Sequence, residues 1–318
     1  MGAFSVFVES MGRFGASMRR VVAIANGKGG VGKTSLTAGL GGLVSGAGYR
    51  VLTVDADPQG NLRRDLGYET SDGANLAMAI QHGTTLTPLR EVRPDLDCIP
   101  GGPALFDLPA TYISRKSRGE DLSGLRAALT QVKPHQRADY DLVLVDTPPG
   151  EPVIQDLVFN AADYLIIPTR SDDASLDGLV AVAERFASAR VTNPSLTLLG
   201  VVLFGVRQGS TRLRDSVREA LEETLEGAAP VFTTSIRYLE SAAVDMRRHG
   251  LLPHELEEGQ IKARSKRLRR LRSGTKTSQG DDLLSRDASG LAGDYTALAK
   301  EVLEAITVVE TSRQPIGA

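Results

Sequence analysis

A glycine-rich segment with two lysines constrains this chain more than any other part of its sequence. The segment reads Gly27-Lys28-Gly29-Gly30-Val31-Gly32-Lys33-Thr34-Ser35. A strand-like apolar run precedes it at 21–25 and a helical pattern follows it at 34–45, which is the context that a phosphate-binding loop requires. The glycines let backbone N–H groups surround phosphate oxygens, and the helix N-terminus adds partial positive charge. The sequence therefore predicts that residues 27–35 bind a phosphorylated cofactor.

Two side chains at the end of this segment have the chemistry of a nucleotide-hydrolysing site. Lys33 is expected to reach the β- and γ-phosphates, and the Thr34 hydroxyl is expected to ligate Mg²⁺. We therefore predict that Lys33 takes part in catalysis and that Thr34 belongs to the metal site.

A second lysine in the loop, Lys28, occupies a position where ordinary phosphate-binding loops accept almost any residue. The resulting pattern, Lys-Gly-Gly-x-Gly-Lys-Thr, resembles the deviant Walker A loop of the ParA/MinD family of P-loop ATPases. In that family the first lysine crosses a dimer interface and contacts the partner's nucleotide. The resemblance implies that the cofactors are ATP and Mg²⁺, and that Lys28 is a catalytic cation acting in trans. The alternative is a solvated lysine on a surface loop.

The second strand-like run ends in an acidic turn, where residues of a doubly wound sheet face the nucleotide crevice. The turn reads Asp55-Ala56-Asp57-Pro58-Gln59-Gly60-Asn61. It is similar to the switch I segment of ParA proteins, in which the second aspartate lies near the γ-phosphate and is needed for hydrolysis. The resemblance implies a catalytic role for Asp57, and carboxylates in this turn are also suited to holding Mg²⁺. The alternative is an ordinary Asx turn.

An apolar strand that ends in an aspartate, at 141–146, is the candidate for the remaining metal-binding element. Such a strand delivers Asp146 to Mg²⁺, usually through a coordinated water, because Mg²⁺ retains several waters. The next residues, Thr147-Pro148-Pro149, resemble switch II of ParA proteins, whereas MinD proteins usually have Ser-Pro-Ala there. Farther along, the run 199–206 resembles the strand whose end approaches the base, so Arg207 is predicted to contact adenine. The alternative is a surface arginine.

Strand-like runs alternate with helical patterns, which favours an α/β fold with a doubly wound, mainly parallel sheet and helices on both faces. The predicted strands are 20–25, 50–54, 96–99, 141–145, 163–167 and 197–203. The predicted helices are 33–46, 74–81, 120–132, 153–161, 175–189, 210–225, 237–248, 255–272 and 294–306. Residues 1–19 are expected to be a disordered extension and 20–250 a P-loop ATPase domain. A basic helix and flexible insertion follow at 251–290, and a C-terminal helix at 291–310 is expected to pack back on the ATPase domain.

The composition limits the possible functions. One cysteine in 318 residues excludes an intramolecular disulfide and a cysteine-based metal site, and it is consistent with a reducing cytoplasm. Aromatic residues make up 5% and tryptophan is absent, so an aromatic surface for stacking bases is not expected. No apolar stretch reaches the ~20 residues that cross a bilayer, and the N-terminal residues make a poor signal peptide. No membrane partner is expected.

The net charge is only −2, but it is unevenly distributed, since eight Lys or Arg and no acid lie between residues 260 and 280. We predict that this part of the helix contacts DNA phosphates without sequence preference. The segment 235–242 resembles a part of the family in which an arginine helps to hold DNA, so arginines in and just after it are further candidates. The candidate residues are Arg237, Arg247, Arg248, Lys262, Arg264, Lys266, Arg267, Arg269 and Arg270. The alternatives are a solvated basic helix, an amphipathic helix on anionic lipid and, for the first three arginines, surface salt bridges.

Together these resemblances imply a ParA-type partition ATPase, cytoplasmic and associated with the nucleoid. ATP and Mg²⁺ are expected to close a homodimer that binds DNA non-specifically. A DNA-bound adaptor of the ParB kind is expected to stimulate an otherwise slow hydrolysis, so that plasmid or chromosomal DNA is segregated or positioned. Two hypotheses compete with this one: a MinD-like positioning ATPase on a membrane, and a DNA-bound regulatory or scaffold protein that hydrolyses ATP only weakly.

Overall fold

The computed structural model describes Phe4, Phe7 and residues 20–120, 123–132, 139–171, 173–207, 211–225, 230–273 and 288–313. Along the helical stretches 173–177, 211–213, 224–225 and 266–273 it describes the backbone alone. The predicted flexible insertion at 274–287 lies outside the described residues. Within the described ranges, no helix combines the length and apolarity that crossing a membrane requires.

Eight strands of the described chain form one sheet in the order β3-β4-β2-β5-β1-β6-β7-β8. The strands are β1 Val21–Ile24, β2 Val51–Asp55, β3 Leu89–Arg93, β4 Leu96–Ile99, β5 Leu142–Asp146, β6 Tyr164–Thr169, β7 Thr197–Val206 and β8 Ile236–Arg237. All neighbouring strands pair in parallel except β3 and β4, which are antiparallel. Parallel neighbours need long crossover connections, and helices supply them here.

Helices cover both faces of the sheet. They are α1 Lys33–Gly46, α2 Leu62–Leu66, α3 Ala74–His82, α4 Leu108–Ser117, α5 Gly124–Gln131, α6 Pro152–Ala161, α7 Asp173–Thr192, α8 Thr211–Leu225, α9 Glu240–His249, α10 Pro253–Ser273 and α11 Ser289–Arg313. Helices α3 to α8 contribute to the apolar cluster on one face. Helices α1, α2, α9, α10 and α11 contribute to the cluster on the other.

The central strands are apolar because both of their faces are buried. Along β1, Val21 and Ala23 belong to one apolar cluster, while Val22 and Ile24 belong to the other. This alternation follows from the two-residue period of a strand. The predicted fold class, a doubly wound and mainly parallel sheet between two helical layers, is therefore confirmed.

The six predicted strands are present, and the elements that were not predicted are short or exposed. Strand β3 lies at the sheet edge and reads Leu-Arg-Glu-Val-Arg, and β8 has two residues, so neither has an apolar alternation to detect. Helix α2 has five residues, too few to show a helical period. Helix α4 has Pro109 in its first turn, where proline is tolerated although it resembles a chain break.

The two ends of the chain meet on the face that carries α1. Phe4 is buried in that apolar cluster, and the Lys300 Nζ atom of α11 lies 5.1 Å from the centre of the Phe7 ring. The other residues of 1–19 are outside the described part, so the disorder expected for this extension stays a prediction. Helix α11 packs on α1, and Tyr295 is buried against the backbone of Gly39.

We expect the substitution Gly39→Ala to lower the free energy of unfolding by about 1–3 kcal/mol, the usual effect of overpacking a core. The added Cβ would lie 2.4 Å from Cε1 of the buried Tyr295, so that ring would have to move. Gly293→Ala in α11 is the matched control, because its Cβ would meet nothing within 4 Å. Urea unfolding should show the control as stable as wild type or up to about 1 kcal/mol more stable, since alanine favours a helix. Equal stability of the Gly39→Ala protein would contradict this packing.

Candidate nucleotide-binding site

Three neighbouring parallel strands deliver the site residues to one edge of the sheet. Strands β2, β5 and β1 lie side by side, and Asp146 at the end of β5 is in register with Asp55 of β2 and Ile24 of β1. The phosphate-binding segment begins at Gly27, three residues after Ile24, and α1 starts at Lys33. The carboxyl ends of parallel strands are where open α/β sheets bind ligands. The sheet therefore brings the predicted segments together.

A cavity of about 300 Å³ lies at this edge. Seven of its lining residues were predicted from the sequence: Gly29, Gly30, Gly32, Lys33, Thr34, Ser35 and Asp57. The others come from the acidic turn, α2, switch II, the end of β7 and α9: Asn61, Arg64, Asp65, Thr147, Pro149, Phe204 and Arg247. Concave sites of this size are typical for small ligands.

The phosphate-binding loop has a backbone that only glycine tolerates at one position. Gly32 has φ +94°, and a Cβ there would lie 2.5 Å from the Phe204 ring. The start of the loop is held by Asn26, whose Oδ1 accepts from the Lys28 N–H at 2.8 Å and whose Nδ2 donates to the Pro168 carbonyl at 2.8 Å. These contacts fix the loop between β1 and β6 and leave its N–H groups arranged around the cavity.

Lys33 is buried, and its ammonium donates to the Lys28 carbonyl at 2.8 Å. Burial lowers its pKa, while the negative charges of Asp146 and Asp57 oppose that effect. An ammonium has three N–H donors, so this bond leaves capacity for phosphate oxygens. Lys33 is therefore positioned in the cavity by its own loop.

Asp146 is fully buried, and within the described part of the chain neither of its carboxylate oxygens has a hydrogen-bond partner. Burial raises its pKa well above the usual value and the nearby Asp55 adds to this, while the Thr34 hydroxyl and the Lys33 ammonium oppose it. An isolated buried carboxylate is strongly unfavourable. A cation in this cavity would relieve that cost.

These side chains fit Mg²⁺. Among the described residues there is no cluster of three or more His, Cys, Asp or Glu suited to a metal. Mg²⁺ beside a nucleotide needs only one or two carboxylates, however, because phosphates and waters supply the remaining oxygens. Asp146, with two unpartnered oxygens, the Thr34 hydroxyl and the cavity-lining Asp57 are the residues that would hold it.

The acidic turn is organised by Asp55, whose role the sequence did not single out. One oxygen of this buried carboxylate accepts from the Asp57 N–H at 3.0 Å, and the other accepts from the Leu62 N–H at 3.0 Å. Burial raises the pKa of Asp55. Asp57 in turn accepts from the Gln59 N–H at 2.8 Å and lines the cavity. Asp55 therefore positions Asp57, and Asp57 faces the ligand.

Five predicted site residues are not among those that line this cavity: Gly27, Lys28, Val31, Asp146 and Arg207. Val31 and Asp146 are fully buried. Lys28 is half-buried and is not among the residues that line the cavity of its own subunit. Arg207 is exposed just beyond β7, whereas Phe204, three residues earlier, lines the cavity. The contact of Arg207 with adenine and the role of Lys28 in trans stay predictions. No sequence signal identified Phe204, because an aromatic residue at the end of a strand is usually part of the core.

The candidate DNA-contacting residues are dispersed. Arg237 forms an ion pair with Asp294 of α11, and its Nε lies 2.7 Å from Oδ2. This residue therefore forms the salt bridge that was the alternative to a DNA contact. Arg247 lines the nucleotide cavity, with Nε 4.0 Å from Oδ1 of the buried Asp65. Arg247 is exposed, as are Arg248, Lys262 and Arg264, whereas the side chains of Lys266, Arg267, Arg269 and Arg270 lie outside the described residues.

This arrangement defines a class of protein. A glycine loop between a buried strand and a helix, opposed by aspartates at the ends of two neighbouring parallel strands, is the site of a P-loop nucleoside triphosphatase.

Comparison with known proteins narrows the class. Residues 19–198 match the family model described as an AAA domain. The chain is 33% identical over 189 residues to the chromosome partitioning protein ParA of Caulobacter vibrioides, which is 59% of this chain and 70% of that protein. It is 32% identical over 207 residues to the chromosome-partitioning ATPase Soj of Thermus thermophilus, 65% of this chain and 76% of that protein.

A solved structure supports the same fold. The Cyanothece McdA(D38A)–ATP complex superposes with a TM-score of 0.68 at 21% identity, over 95% of this chain and all of that chain. With these matches, the chain belongs to the ParA family of partition ATPases. The resemblance identified from the two-lysine loop is therefore confirmed.

We expect Asp146→Asn to remove most of the Mg²⁺-dependent thermal stabilisation by ATP, because the amide brings no charge to the metal. Asp146 has a raised folded-state pKa, so its ionised form opposes folding at every pH above the unfolded pKa. The unliganded variant should therefore be at least as stable as wild type. Thermal unfolding with ATP, in Mg²⁺ or in EDTA, measures both effects.

Asp141→Asn is the control for this substitution. Asp141 precedes the same strand and pairs with Arg50 at 2.7 Å, far from the cavity. This variant should be less stable without ligand and should keep the full Mg²⁺-dependent shift. Equal shifts in the two variants would contradict the metal site.

Proposed function

We propose that this chain is an ATP hydrolase that binds ATP with Mg²⁺, dimerises, binds DNA without sequence preference, and segregates or positions plasmid or chromosomal DNA. The observation that carries the proposal is the fully buried, unpartnered Asp146 carboxylate beside the Thr34 hydroxyl and the Lys33 ammonium. A triphosphate with its magnesium ion matches that arrangement in charge and in ligand type.

Each charged residue has a defined role in hydrolysis. Lys33 and the backbone N–H groups of residues 27–35 would hold the phosphates. Thr34 with Asp146 would hold Mg²⁺, which would neutralise charge on the phosphate oxygens. Asp57, fixed through its backbone by Asp55, orients the attacking water. Lys28 of the partner subunit supplies a further cation as charge develops on the phosphates. Arg207 is proposed at the base.

Dimerisation is proposed because of the position of Lys28. Its side chain does not line the cavity of its own subunit among the described residues. A second copy, face to face across the two cavities, would bring each Lys28 to the opposite nucleotide. A symmetric closed dimer also carries two copies of every basic surface, related by its two-fold axis.

DNA binding is proposed from the basic helix α10. Lys262 and Arg264 are exposed, and the same helix continues into Lys266, Arg267, Arg269 and Arg270. Cations spread around a helix suit phosphate contacts, which carry no sequence information. Two relatives are named for chromosome partitioning, so we propose DNA as the cargo. We further propose a DNA-bound adaptor of the ParB kind that stimulates an otherwise slow hydrolysis, in the cytoplasm and on the nucleoid.

We expect the protein to bind nonspecific duplex DNA with ATP and Mg²⁺ but much more weakly with ADP or without nucleotide. Fluorescence anisotropy at several salt concentrations measures this, and affinity should fall steeply with salt because binding releases counterions. Lys33→Ala should bind DNA equally weakly in all three nucleotide states. Equal binding by wild type in every state would exclude gating by the nucleotide. Absence of binding to DNA together with ATP-dependent binding to anionic vesicles would favour a membrane-positioning ATPase.

Asp57→Ala should reduce the basal ATPase rate by about 10²-fold or more, the usual loss when a group that positions the nucleophile is removed. ATP binding should persist, because Lys33, Thr34 and Asp146 remain. Phosphate release with excess ATP measures the rate, and a fluorescent ATP analogue measures the affinity. An unchanged rate would mean that Asp57 is not catalytic. It would favour the competing hypothesis of a scaffold protein that hydrolyses ATP only weakly.

A further inference from the structure

The basic helix α10 is anchored over its first two turns and becomes exposed from Ile261 onward. Leu252, His254 and Leu256 are buried, whereas Ile261 is 58% exposed and the Lys262 side chain is 80% exposed. The direction of such a helix depends on the groups that hold its N-terminal turns. The contacts around Leu252 and Glu255, together with Gln260 Oε1, which accepts from the Ala288 N–H at 2.7 Å, therefore set where the basic residues of α10 lie.

One of these contacts is with the helix of the phosphate loop. A Cβ on Gly42 of α1 would lie 2.0 Å from Cδ1 of Leu252, so Leu252 packs directly on the α1 backbone. The Leu252 N–H also donates to Glu255 Oε2 at 2.8 Å, which caps the start of α10. The N-terminus of the basic helix thus rests on the helix whose first residue is Lys33.

A second contact joins α10 to the helix that follows the acidic turn. The guanidinium of Arg93, at the end of β3, binds Glu255 with Nε–Oε1 at 2.5 Å and Nη2–Oε2 at 3.1 Å. It also donates to the Leu66 carbonyl of α2 at 3.0 Å and to the Gly250 carbonyl after α9 at 2.6 Å. Burial alone would raise the pKa of Glu255, but its hydrogen bond with Arg93 lowers it, so the pair is ionised at neutral pH. One side chain therefore holds the ends of α2 and α9 and the start of α10.

The backbones of α2 and α9 also touch at this point. Gly67 and Gly250 both have positive φ, +71° and +59°, and a Cβ on Gly250 would lie 2.7 Å from the Gly67 Cα. One turn earlier, Arg247 of α9 lies 4.0 Å from Asp65 of α2. The ends of these two helices are therefore in direct contact.

Helix α2 connects this joint to the nucleotide cavity. The Asp55 carboxylate accepts from the N–H of Asp57 and from the N–H of Leu62, the first residue of α2. Because α2 has five residues, a displacement of the Asp57 turn reaches Leu66 within little more than one helical turn. A continuous set of hydrogen bonds thus runs from the residue nearest the proposed γ-phosphate to the base of α10.

We propose that Arg93 is the residue through which the nucleotide at Asp57 sets the position of the basic helix α10, and hence the affinity for DNA. This inference rests on the proposed function. Arg93 contacts neither the cavity nor the exposed basic residues, so it acts as a positioning residue. Its removal should uncouple the two sites rather than disable either one.

The test compares Arg93→Ala with Arg90→Ala. Arg90 lies on the same strand and also forms an ion pair, with Asp97 at 2.8 Å, but its ion-pair and hydrogen-bond partners belong to β4 and Tyr140. For each protein, DNA affinity is measured with ATP and with ADP, and ATP affinity is measured with a fluorescent analogue. We expect Arg93→Ala to keep its ATP affinity and its basal ATPase rate, while its ATP-to-ADP ratio of DNA affinities falls by about tenfold or more. Arg90→Ala should keep the wild-type ratio.

The outcomes distinguish the two proposals. If wild type shows no ATP-dependent DNA binding, both the proposed function and this inference are contradicted. If wild type is gated and Arg93→Ala is gated to the same extent, only the role of Arg93 is overturned. Should Arg93→Ala fail to fold, Glu255→Gln replaces it, because glutamine still accepts from Leu252 but removes the charge that Arg93 binds. A wild-type ratio in Glu255→Gln would equally overturn the inference.

Discussion

The buried carboxylate of Asp146 is the constraint on which the rest of the site depends. No protein group in the described chain neutralises it through a hydrogen bond, and the charges around it are mixed: Asp55 and Asp57 repel it while Lys33 attracts it. A charge desolvated in this way is costly to the folded state. The site therefore gains most from a ligand that brings a cation to Asp146 and anions to Lys33. A nucleoside triphosphate with Mg²⁺ does both.

The folded state tolerates the free-energy cost of burying the Asp146 charge because extensive apolar clusters are buried on both faces of the sheet. The face with α1 holds that helix, which follows the phosphate loop, together with the acidic turn's helix α2 and the base of the basic helix α10 in one apolar cluster. Close contacts at Gly39 and Gly42 bring Tyr295 and Leu252 against the α1 backbone. The elements proposed to bind nucleotide and DNA thus share a layer, which gives a physical route between them.

The sequence predicted the parts of the site that local geometry determines. Lys33 and Thr34 follow from the spacing of a loop between a strand and a helix, and Asp146 follows from a buried strand that ends in a carboxylate. Phe204 and Arg93, which the sequence did not single out, and Arg247, which it assigned to DNA contact, reach their places through packing between segments far apart in the chain. Arg237 shows the same limit, because only the folded chain brings Asp294 within 2.7 Å of it. No periodic sequence pattern identifies the ion-pair partner of a charged residue.

A crystal structure of the Asp57→Ala protein with ATP and Mg²⁺ would show directly which residues hold the nucleotide and its metal. Slow hydrolysis by this variant should preserve the triphosphate. We expect a dimer in which Mg²⁺ contacts the Thr34 hydroxyl and lies beside Asp146. Lys33 should contact the phosphates, and Lys28 of each subunit should reach the nucleotide of the other. A monomer with Lys28 folded into its own cavity, or a metal bound away from Asp146, would contradict this expectation.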